Sequence, residues 1–190
     1  RSQYASEDIE EEANSYFQKI YTNQHSIEEV VNMLRSFKTS ESQREQEIFA
    51  CMVHNLFDEY RFFPKYPDKE LRITGILFGS LIQHQLVSSI TLGIALRWVL
   101  DALRKPSGTK MFQFGMTALQ QFQHRLHEWP QYCQHIMQIP HLGMAHPDLV
   151  NFIEHQTTAG ASGTGPPNVG VGPATGGGPT GPGAGGAGGP

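Results

Sequence analysis

Two amphipathic helix patterns meet at a pair of prolines in the first half of this chain, within residues 42–86. Apolar residues recur every three or four positions before Pro64 and again after Pro67, which is the periodicity of a helix with one buried face. A proline cannot donate a backbone hydrogen bond, and it disfavours helical geometry in the residue before it. We therefore predict two long helices that meet at a sharp corner, where the prolines bias Phe63 and Tyr66 away from helical geometry.

Helix patterns also cover the rest of the chain up to about residue 156, and no segment reads as a strand. Ser26 with Glu29, and Ser42 with Glu45, have the spacing of capping boxes and mark the starts of the second and third helices. The later patterns bring the number of helices to about eight. We predict an all-α fold of stacked antiparallel helix pairs, with about 35–45 residues per pair, as in HEAT repeats.

Two segments indicate how these helices pack. The pattern from Ser89 to Leu103 is apolar on nearly every side, which is typical of a central helix. In the fourth helix Gly75 and Gly79 lie four residues apart, so one side of that helix is narrow. We expect another helix of the same domain to approach closely there.

Composition divides the chain into three parts. From residue 159 onward there is no charged residue, and this segment holds 14 of the 20 glycines. Such a segment cannot bury enough apolar surface to offset the entropy that is lost on folding. We predict a disordered segment over residues 1–6, a helical-repeat domain over residues 7–156 and a disordered Gly/Pro-rich linker over residues 157–190. We also expect the chain to be part of a longer protein.

The charge balance, the apolar runs and the cysteines argue against several classes of protein, although the charge balance leaves room for a local basic patch. Lys and Arg number 14 and Asp and Glu number 18, which gives a net charge of −4, whereas a domain that mainly binds a phosphate backbone usually has a basic face. The longest apolar run is too short and too charged to span a membrane. Cys51 and Cys133 each lie in an apolar helical pattern, so we expect two reduced, buried thiols. These features predict a monomeric intracellular domain.

Neither a metal site nor an active site is indicated. The candidate metal ligands in the segment HRLHEWPQYCQH have a spacing that matches no zinc module, and Cys133 and His135 would point to different sides of a helix. The carboxylate pairs fall on solvated helix turns, and no nucleophile elbow or phosphate-binding loop is present. We therefore predict no bound metal, no cofactor and no enzymatic activity. The four candidate ligands are His124, His127, Cys133 and His135.

Aromatic residues give the strongest indication of a binding site. Phe17 and Tyr21 lie four apart on the first helix, and Tyr66 lies in the corner between two prolines. A purely structural role would bury these rings in the core, but tyrosines at a helix end and in a loop also suit partly exposed anchoring positions. If the two faces adjoin, they form an apolar groove bordered by Glu59, which a short amphipathic peptide with a basic residue would complement.

Two other functions fit the same sequence. A helical-repeat domain can contact RNA directly through basic residues, which would give steep salt dependence and a measurable affinity for single-stranded RNA. A structural spacer would instead bury Phe17, Tyr21 and Tyr66 completely. The basic residues considered for RNA contact are Arg35, Lys38, Arg97, Arg104, Lys105 and Lys110.

Three stretches of this sequence resemble one family. They are EYRFFPKYPDKELRITGILFG at the corner, ALRKPSGTKMFQFG and PQYCQH. In these stretches the chain resembles the large Not-family scaffold subunit of the Ccr-Not messenger RNA deadenylase complex, over a central helical domain of that subunit. The resemblance implies a HEAT-type domain, similar to the middle domain of the translation initiation scaffold four-gamma.

The resemblance also implies a partner. In that family the domain binds a short carboxy-terminal peptide of tristetraprolin-like RNA-binding adaptors, which brings messenger RNA to the complex for deadenylation, decay and translational repression. It implies a non-catalytic scaffold module that joins other Ccr-Not subunits through the rest of the scaffold and meets RNA only indirectly. The implied location is the cytoplasm with its P-bodies, and the nucleus as a second site. The residues expected to bind the peptide are Phe17, Ile20, Tyr21, Glu59, Phe63 and Tyr66.

Overall fold

The computed structural model of the chain describes residues 6–163. Within that range every regular element is a helix, which confirms the predicted all-α fold. The described residues fall into two compact units, one that ends at Phe122 and one that begins at Gln123. Most of the two segments predicted to be disordered lies outside the described residues. The exceptions are Ser6, which caps the first helix, and residues 157–163, which continue the last one.

The first unit consists of α-helices and one short 3₁₀ helix, which we call the corner helix. Here α1 packs against α3, α2 packs against α3 and α4, and α6 packs against both α4 and α5. The elements are α1 (Glu7–Tyr21), α2 (Ile27–Lys38), α3 (Gln43–Asp58), the corner helix (Tyr60–Lys65), α4 (Asp68–Gln83), α5 (Ser89–Leu103) and α6 (Lys110–Phe122). No helix among the described residues is long and apolar enough to cross a membrane.

Serine caps set the starts of α2 and α3. The Ser26 hydroxyl accepts a hydrogen bond from the backbone N–H of Glu29 at 3.0 Å, and the Glu29 carboxylate accepts one from the N–H of Ser26 at 2.9 Å. The predicted capping box of α2 is therefore formed. At α3 only half of the predicted box is present. The Ser42 hydroxyl accepts from the N–H of Glu45, but the Glu45 carboxylate accepts from the Ser40 hydroxyl instead.

The corner between α3 and α4 is mostly helical, although its prolines were expected to bias Phe63 and Tyr66 away from helical geometry. The corner helix includes Pro64, and Phe63 within it is fully buried. Only Tyr66, directly before Pro67, has the extended backbone that was predicted, with φ −70° and ψ 146°. A 3₁₀ helix turns on hydrogen bonds between residues three apart, such as the 3.0 Å bond from the N–H of Tyr66 to the carbonyl of Phe63. The chain therefore leaves α3 without an irregular loop.

The helices α4, α5 and α6 meet closely at glycines, as the sequence predicts for α4. A Cβ atom added at Gly79 would lie 2.3 Å from the carbonyl oxygen of Ala118, and one added at Gly75 would also meet α6 at 3.2 Å. On α6, a Cβ atom added at Gly115 would lie 3.0 Å from Ala102 of α5. Gly79 lets the helix backbones approach within a distance that no side chain would allow, and the contacts at Gly75 and Gly115 are tighter than most side chains accept.

The expectation that α5 is a central helix is wrong. Its buried residues lie on one side, whereas Ile90 and Ile94 on the opposite side are 78% and 42% exposed. The helix packs against α6, and this contact covers only part of its apolar surface. A sequence that is apolar on all sides permits burial all round, but the neighbouring helices decide which sides are covered.

An aromatic cluster fills the core beside the corner helix. The ring of Tyr60 stacks on Trp98 with the centroids 4.1 Å apart, and the ring of Phe63 lies 5.2 Å from that of Phe114. Aromatic pairs at these distances stabilise the fold beyond the burial of their area. The cluster consists of Phe57, Tyr60, Phe63, Phe78, Trp98 and Phe114.

Stability is expected to fall at alkaline pH because partly buried tyrosines lose their protons at higher pH than those of the unfolded chain. Burial, followed by the nearby Asp101 carboxylate, raises the pKa of Tyr60 from 10.0 to about 12. The contribution of Tyr60 to the free energy of unfolding is thus fully present below pH 10 and is lost as the pH rises toward 12. Burial also raises the pKa values of Tyr21 and Tyr66, which adds to the decline.

Urea midpoints measured at neutral pH and at several values above pH 10 check this prediction. The Tyr60→Phe variant lacks the ionisable hydroxyl, so its midpoint is expected to decline less steeply above pH 10 than that of the wild type. A variant that declines as steeply as the wild type would show that Tyr60 does not contribute to the alkaline loss of stability.

The second unit has its own small core. It contains a 3₁₀ helix (Gln123–Glu128), α7 (Pro130–Met137), α8 (Pro140–Ala145) and α9 (Pro147–Gly163). Arg125 donates two hydrogen bonds of 2.8 and 2.7 Å to Glu128 and lies 4.8 Å from the ring centre of Trp129. Cys133 is buried, as predicted, and its thiol donates to the carbonyl of Leu126 at 3.3 Å. Across residues 6–163 no cluster of His, Cys, Asp and Glu side chains is placed to hold a metal ion.

Candidate functional site

A groove of about 490 Å³ lies in the first unit, between α1 and the end of α3. Leu56, which is only 4% exposed, forms its floor, and its walls carry aromatic rings, carboxylates and side-chain amides. We call it the α1/α3 groove. The residues that line it are Glu10, Asn14, Phe17, Gln18, Tyr21, Asn55, Leu56, Asp58, Glu59 and Tyr66.

Helical periodicity explains why these residues share a groove. Four of them are spaced by four, three and four positions along α1, so their side chains form a row on one face of that helix. The last turn of α3 and the residue after it, positions 55–59, supply the facing wall. The four residues in the row are Glu10, Asn14, Phe17 and Tyr21.

Ion pairs fix α1 and α3 side by side. Arg44 at the start of α3 donates to the carboxylate of Asp8 at 2.6 Å and also to that of Glu12, and both acids lie near the start of α1. The two helices therefore run in the same direction and bring Tyr21, at the end of α1, to the same end of the unit as the corner helix. This arrangement places the aromatic end of α1 beside the corner.

Tyr21 presents its ring to the groove while its hydroxyl is bonded to α4. The hydroxyl lies 2.8 Å from Oγ1 of Thr74, and the Thr74 hydroxyl donates to the carbonyl of Glu70 at 2.7 Å. Because the single hydroxyl proton of Thr74 is used in the second bond, Tyr21 is the donor in the first. Burial is the main reason why the pKa of Tyr21 is raised, so the phenol stays protonated and keeps this bond at neutral pH.

Tyr66 lies at the edge of the groove and is held in three ways. Its hydroxyl donates to the Glu59 carboxylate at 2.7 Å, and its ring lies 5.2 Å from that of Phe63. Lys110, at the start of α6, donates to its backbone carbonyl. Burial and the bond to Glu59 raise the pKa of Tyr66, so this hydroxyl also stays protonated. The ring is thus fixed in position while part of the residue remains exposed.

The groove is acidic. Glu10, Asp58 and Glu59 line it, and none of the described residues that line it carries a positive charge. Cys51 is buried beside the groove, and its thiol donates to the Glu10 carboxylate at 3.6 Å. Burial raises the pKa of Cys51 to about 11, so this thiol is not a nucleophile at neutral pH. The arrangement suits a ligand that combines apolar groups with a positive charge.

The structure brings four of the six predicted site residues together. The other two, Ile20 and Phe63, are 2% and 0% exposed and do not line the groove. They pack inside the domain, where Phe63 supports the ring of Tyr66, because the buried centre of each apolar stripe faces the core. The four that line the groove are Phe17, Tyr21, Glu59 and Tyr66.

The amide side chains that line the groove were not predicted from the sequence. Asn14, Gln18 and Asn55 are common helix-surface residues with no distinctive chemistry. Their positions do indicate that they belong to the site. Asn14 lies three positions before Phe17 and Asn55 lies four positions before Glu59, so each shares a helix face with a predicted site residue. Extension of each predicted binding face by one helical turn finds them.

Known proteins are similar to this chain over most of its length. A family model described as the CCR4-NOT transcription complex subunit 1 TTP binding domain matches residues 1–164. General negative regulator of transcription subunit 1 of Schizosaccharomyces pombe is 50% identical over 148 residues, and CCR4-NOT transcription complex subunit let-711 of Caenorhabditis elegans is 42% identical over 133 residues. These matches cover 78% and 69% of this chain but only 7% and 5% of the relatives, so the chain spans a small part of their length.

A solved structure agrees with the sequence matches. The N-terminal domain of the yeast Not1 superposes with a TM-score of 0.77 at 34% identity, and the match covers 81% of this chain and 29% of that chain. These findings confirm the resemblance that the corner motif suggested. The chain belongs to the family of CCR4-NOT transcription complex subunit 1 TTP binding domains, which is a non-catalytic scaffold family.

Proposed function

We propose that the α1/α3 groove docks a short peptide of a tristetraprolin-like RNA-binding adaptor and thereby recruits messenger RNA to the Ccr-Not complex. The observation that carries this proposal is the convergence of three partly exposed aromatic residues, Phe17, Tyr21 and Tyr66, with the carboxylate of Glu59. The aromatic faces bind apolar anchors of the peptide, and the carboxylates select a basic neighbour.

The groove offers ring faces rather than free hydroxyls to the peptide. Tyr21 donates its hydroxyl proton to Thr74, and Tyr66 donates its proton to Glu59. An apolar side chain can therefore cover these rings without leaving a buried hydroxyl unpaired. The amides of Asn14 and Gln18 on the same wall are exposed and suited to pair with the peptide backbone.

The size of the groove sets the affinity that we expect for the peptide, and this affinity suits a particular role. A peptide with two or three apolar anchors buries a few hundred Å², which gives about micromolar affinity once ordering costs are subtracted. Binding of this strength suits recruitment that can be reversed. Other subunits remove the poly(A) tail, RNA reaches this domain only through the adaptor, and the place of action is the cytoplasm with its P-bodies.

Exposure and charge pairing favour this function over the two alternatives. A spacer would bury Phe17, Tyr21 and Tyr66 completely, yet all three remain partly exposed. Direct RNA binding needs cations that are available to phosphates. Of the six basic residues considered for that role, Lys38 and Lys110 donate to backbone carbonyls. Arg97 and Arg104 share the carboxylate of Asp101, and the single net positive charge that remains is too small to hold a phosphate backbone.

A titration of the full chain with a fluorescent carboxy-terminal peptide of a tristetraprolin-type adaptor tests the proposal. We expect saturable binding of about micromolar affinity. Phe17→Ala and Tyr66→Ala are each expected to weaken it about tenfold or more, because truncation of a central aromatic anchor removes more than about 1.4 kcal/mol. Glu59→Gln is expected to have a smaller effect and to reduce the salt dependence of binding.

The matched control is Ile90→Ala, which removes an exposed apolar side chain from α5, outside the groove. This variant is expected to bind as the wild type does, and thermal melts followed by circular dichroism establish that every variant is folded. If the folded wild type does not bind, or if the Phe17 and Tyr66 variants bind equally well, the groove is not the docking site for such a peptide.

A further inference from the structure

The exposed side of α5 carries apolar residues that the other helices of the first unit leave largely or partly uncovered. Ile90 and Ile94, four positions apart, are 78% and 42% exposed, and Gly93 lies between them on the same side of the helix. Single exposed isoleucines are ordinary, but a pair on adjacent helical turns forms a ridge with a gap beside it. We call the side of the helix that carries Ile90, Gly93, Ile94, Arg97 and Arg104 the α5 face.

No neighbour among residues 6–163 requires position 93 to be a glycine. A Cβ atom added at Gly75, Gly79 or Gly115 would meet a neighbouring helix at 3.2, 2.3 or 3.0 Å, whereas one added at Gly93 would meet nothing within 4 Å. Glycine in a helix interior destabilises the helix relative to alanine. Gly93 is therefore a destabilising residue between two exposed isoleucines, and no contact with another described residue requires it.

The remainder of the α5 face is basic. Arg97 has 80% of its side chain exposed, and Arg97 and Arg104 share one carboxylate, Asp101, at 3.8 and 3.5 Å. Two guanidinium groups and one carboxylate leave a net positive charge beside the isoleucines. This polarity is opposite to that of the α1/α3 groove, so the two surfaces select ligands of opposite charge.

We propose that the α5 face docks an acidic amphipathic helix of a partner protein. The partner helix crosses α5 at Gly93, where the absence of a side chain lets the two backbones approach closely, and it has a small residue at the crossing point. Its apolar residues pack on Ile90 and Ile94, and its carboxylates pair with Arg97 and Arg104. This site is separate from the α1/α3 groove and does not depend on the function proposed for that groove.

A displayed library of helical peptides, selected for binding to the full chain, tests the proposal. We expect the enriched peptides to be acidic, with a small residue at the centre of their apolar face. Gly93→Leu is expected to weaken their binding about tenfold or more, as is usual when a central interface position is blocked, and Phe17→Ala in the groove is expected to leave it unchanged. Arg97→Glu is expected to reverse the charge preference, so that peptides with lysine in place of glutamate bind better.

Gly93→Ala separates docking from folding. This variant is expected to have a higher melting temperature than the wild type, because alanine favours the helix and the position is open, but to bind the acidic peptides more weakly. The proposal is overturned if the enriched peptides bind the Gly93 variants as tightly as the wild type, or if the Gly93-dependent peptides are basic. The proposal is also overturned if sedimentation shows a dimer of this chain that depends on Gly93. The same holds if single-stranded RNA binds at Arg97 in place of a peptide.

Discussion

Replacement of Phe63 by alanine is expected to lower the free energy of unfolding by about 3–5 kcal/mol, the usual cost of removing a buried phenylalanine ring. Phe63 is 0% exposed, and its ring lies within 5.2–5.3 Å of three others, those of Tyr60, Tyr66 and Phe114. The three rings are held by their own contacts and cannot collapse into the space that the substitution leaves. Urea denaturation measures this loss, which is a large part of the 5–15 kcal/mol that is typical of a whole domain.

The neighbouring residue is the matched control for this prediction. Phe62 is 41% exposed, and its ring contacts the guanidinium of Arg61 at 4.8 Å. Phe62→Ala is expected to cost less than about 1 kcal/mol, since it removes a largely surface contact from the same corner helix. Similar losses for the two variants would contradict the packing described for the corner helix.

Replacement of Gly79 by alanine is expected to lower the free energy of unfolding by about 3 kcal/mol, at the upper end of the range for overpacked cores. The new methyl group would lie 2.3 Å from the carbonyl oxygen of Ala118 and 2.8 Å from its Cα atom. Both are backbone atoms and cannot rotate away as a side chain would, so α4 and α6 must separate. That contact is the most extensive between helices in the first unit, and a shift there disturbs the core on both sides.

Gly93→Ala, the same substitution in an open position of α5, is the control. Here alanine is expected to raise the free energy of unfolding by about 0.5–1 kcal/mol, because it restricts the unfolded chain and meets no neighbour. If the two substitutions change the free energy of unfolding in opposite directions, the effect of close helix packing is separated from the effect of replacing a glycine in a helix. If Gly79→Ala were as stable as the wild type, the close approach of α4 and α6 would be refuted.

Local signals in the sequence were sufficient to predict most of the helices but not the way in which they are covered. The capping box of Ser26 and Glu29 predicted where α2 begins, because caps and periodicity are properties of neighbouring residues. The six-residue helix α8 was missed, since one and a half turns are too short to show a period. The covered side of α5 was not predictable, because Ile90 and Ala95 are both apolar and only the packing of the fold exposes the first and buries the second.

The groove was predicted only in part. Here too, contacts between distant parts of the chain decide which residues are exposed, and local patterns do not show them. Tyr21 and Tyr66 were identified because an amphipathic side chain at the end of an element has a reason to be exposed. Phe63 continues an apolar stripe and was also predicted to bind the peptide, yet the corner helix turns it into the aromatic cluster. The bond of Lys110 to the Tyr66 carbonyl joins residues 44 positions apart, and no local pattern reveals a contact of that range.

The acidic wall of the groove coincides with the end of a helix. α3 finishes at Asp58 and is followed by Glu59, and its last turn contains no basic residue. The aligned peptide dipoles of a helix concentrate partial negative charge at this terminus, where a carboxylate is unfavourable by about 0.3–1 kcal/mol. The fold therefore retains two acids at a position where they reduce the stability of α3. Part of the negative potential in the groove therefore comes from the backbone carbonyls at the end of α3. Through this part, the direction in which α3 runs contributes to the sign of charge that the groove attracts. No side-chain substitution removes the contribution of these carbonyls.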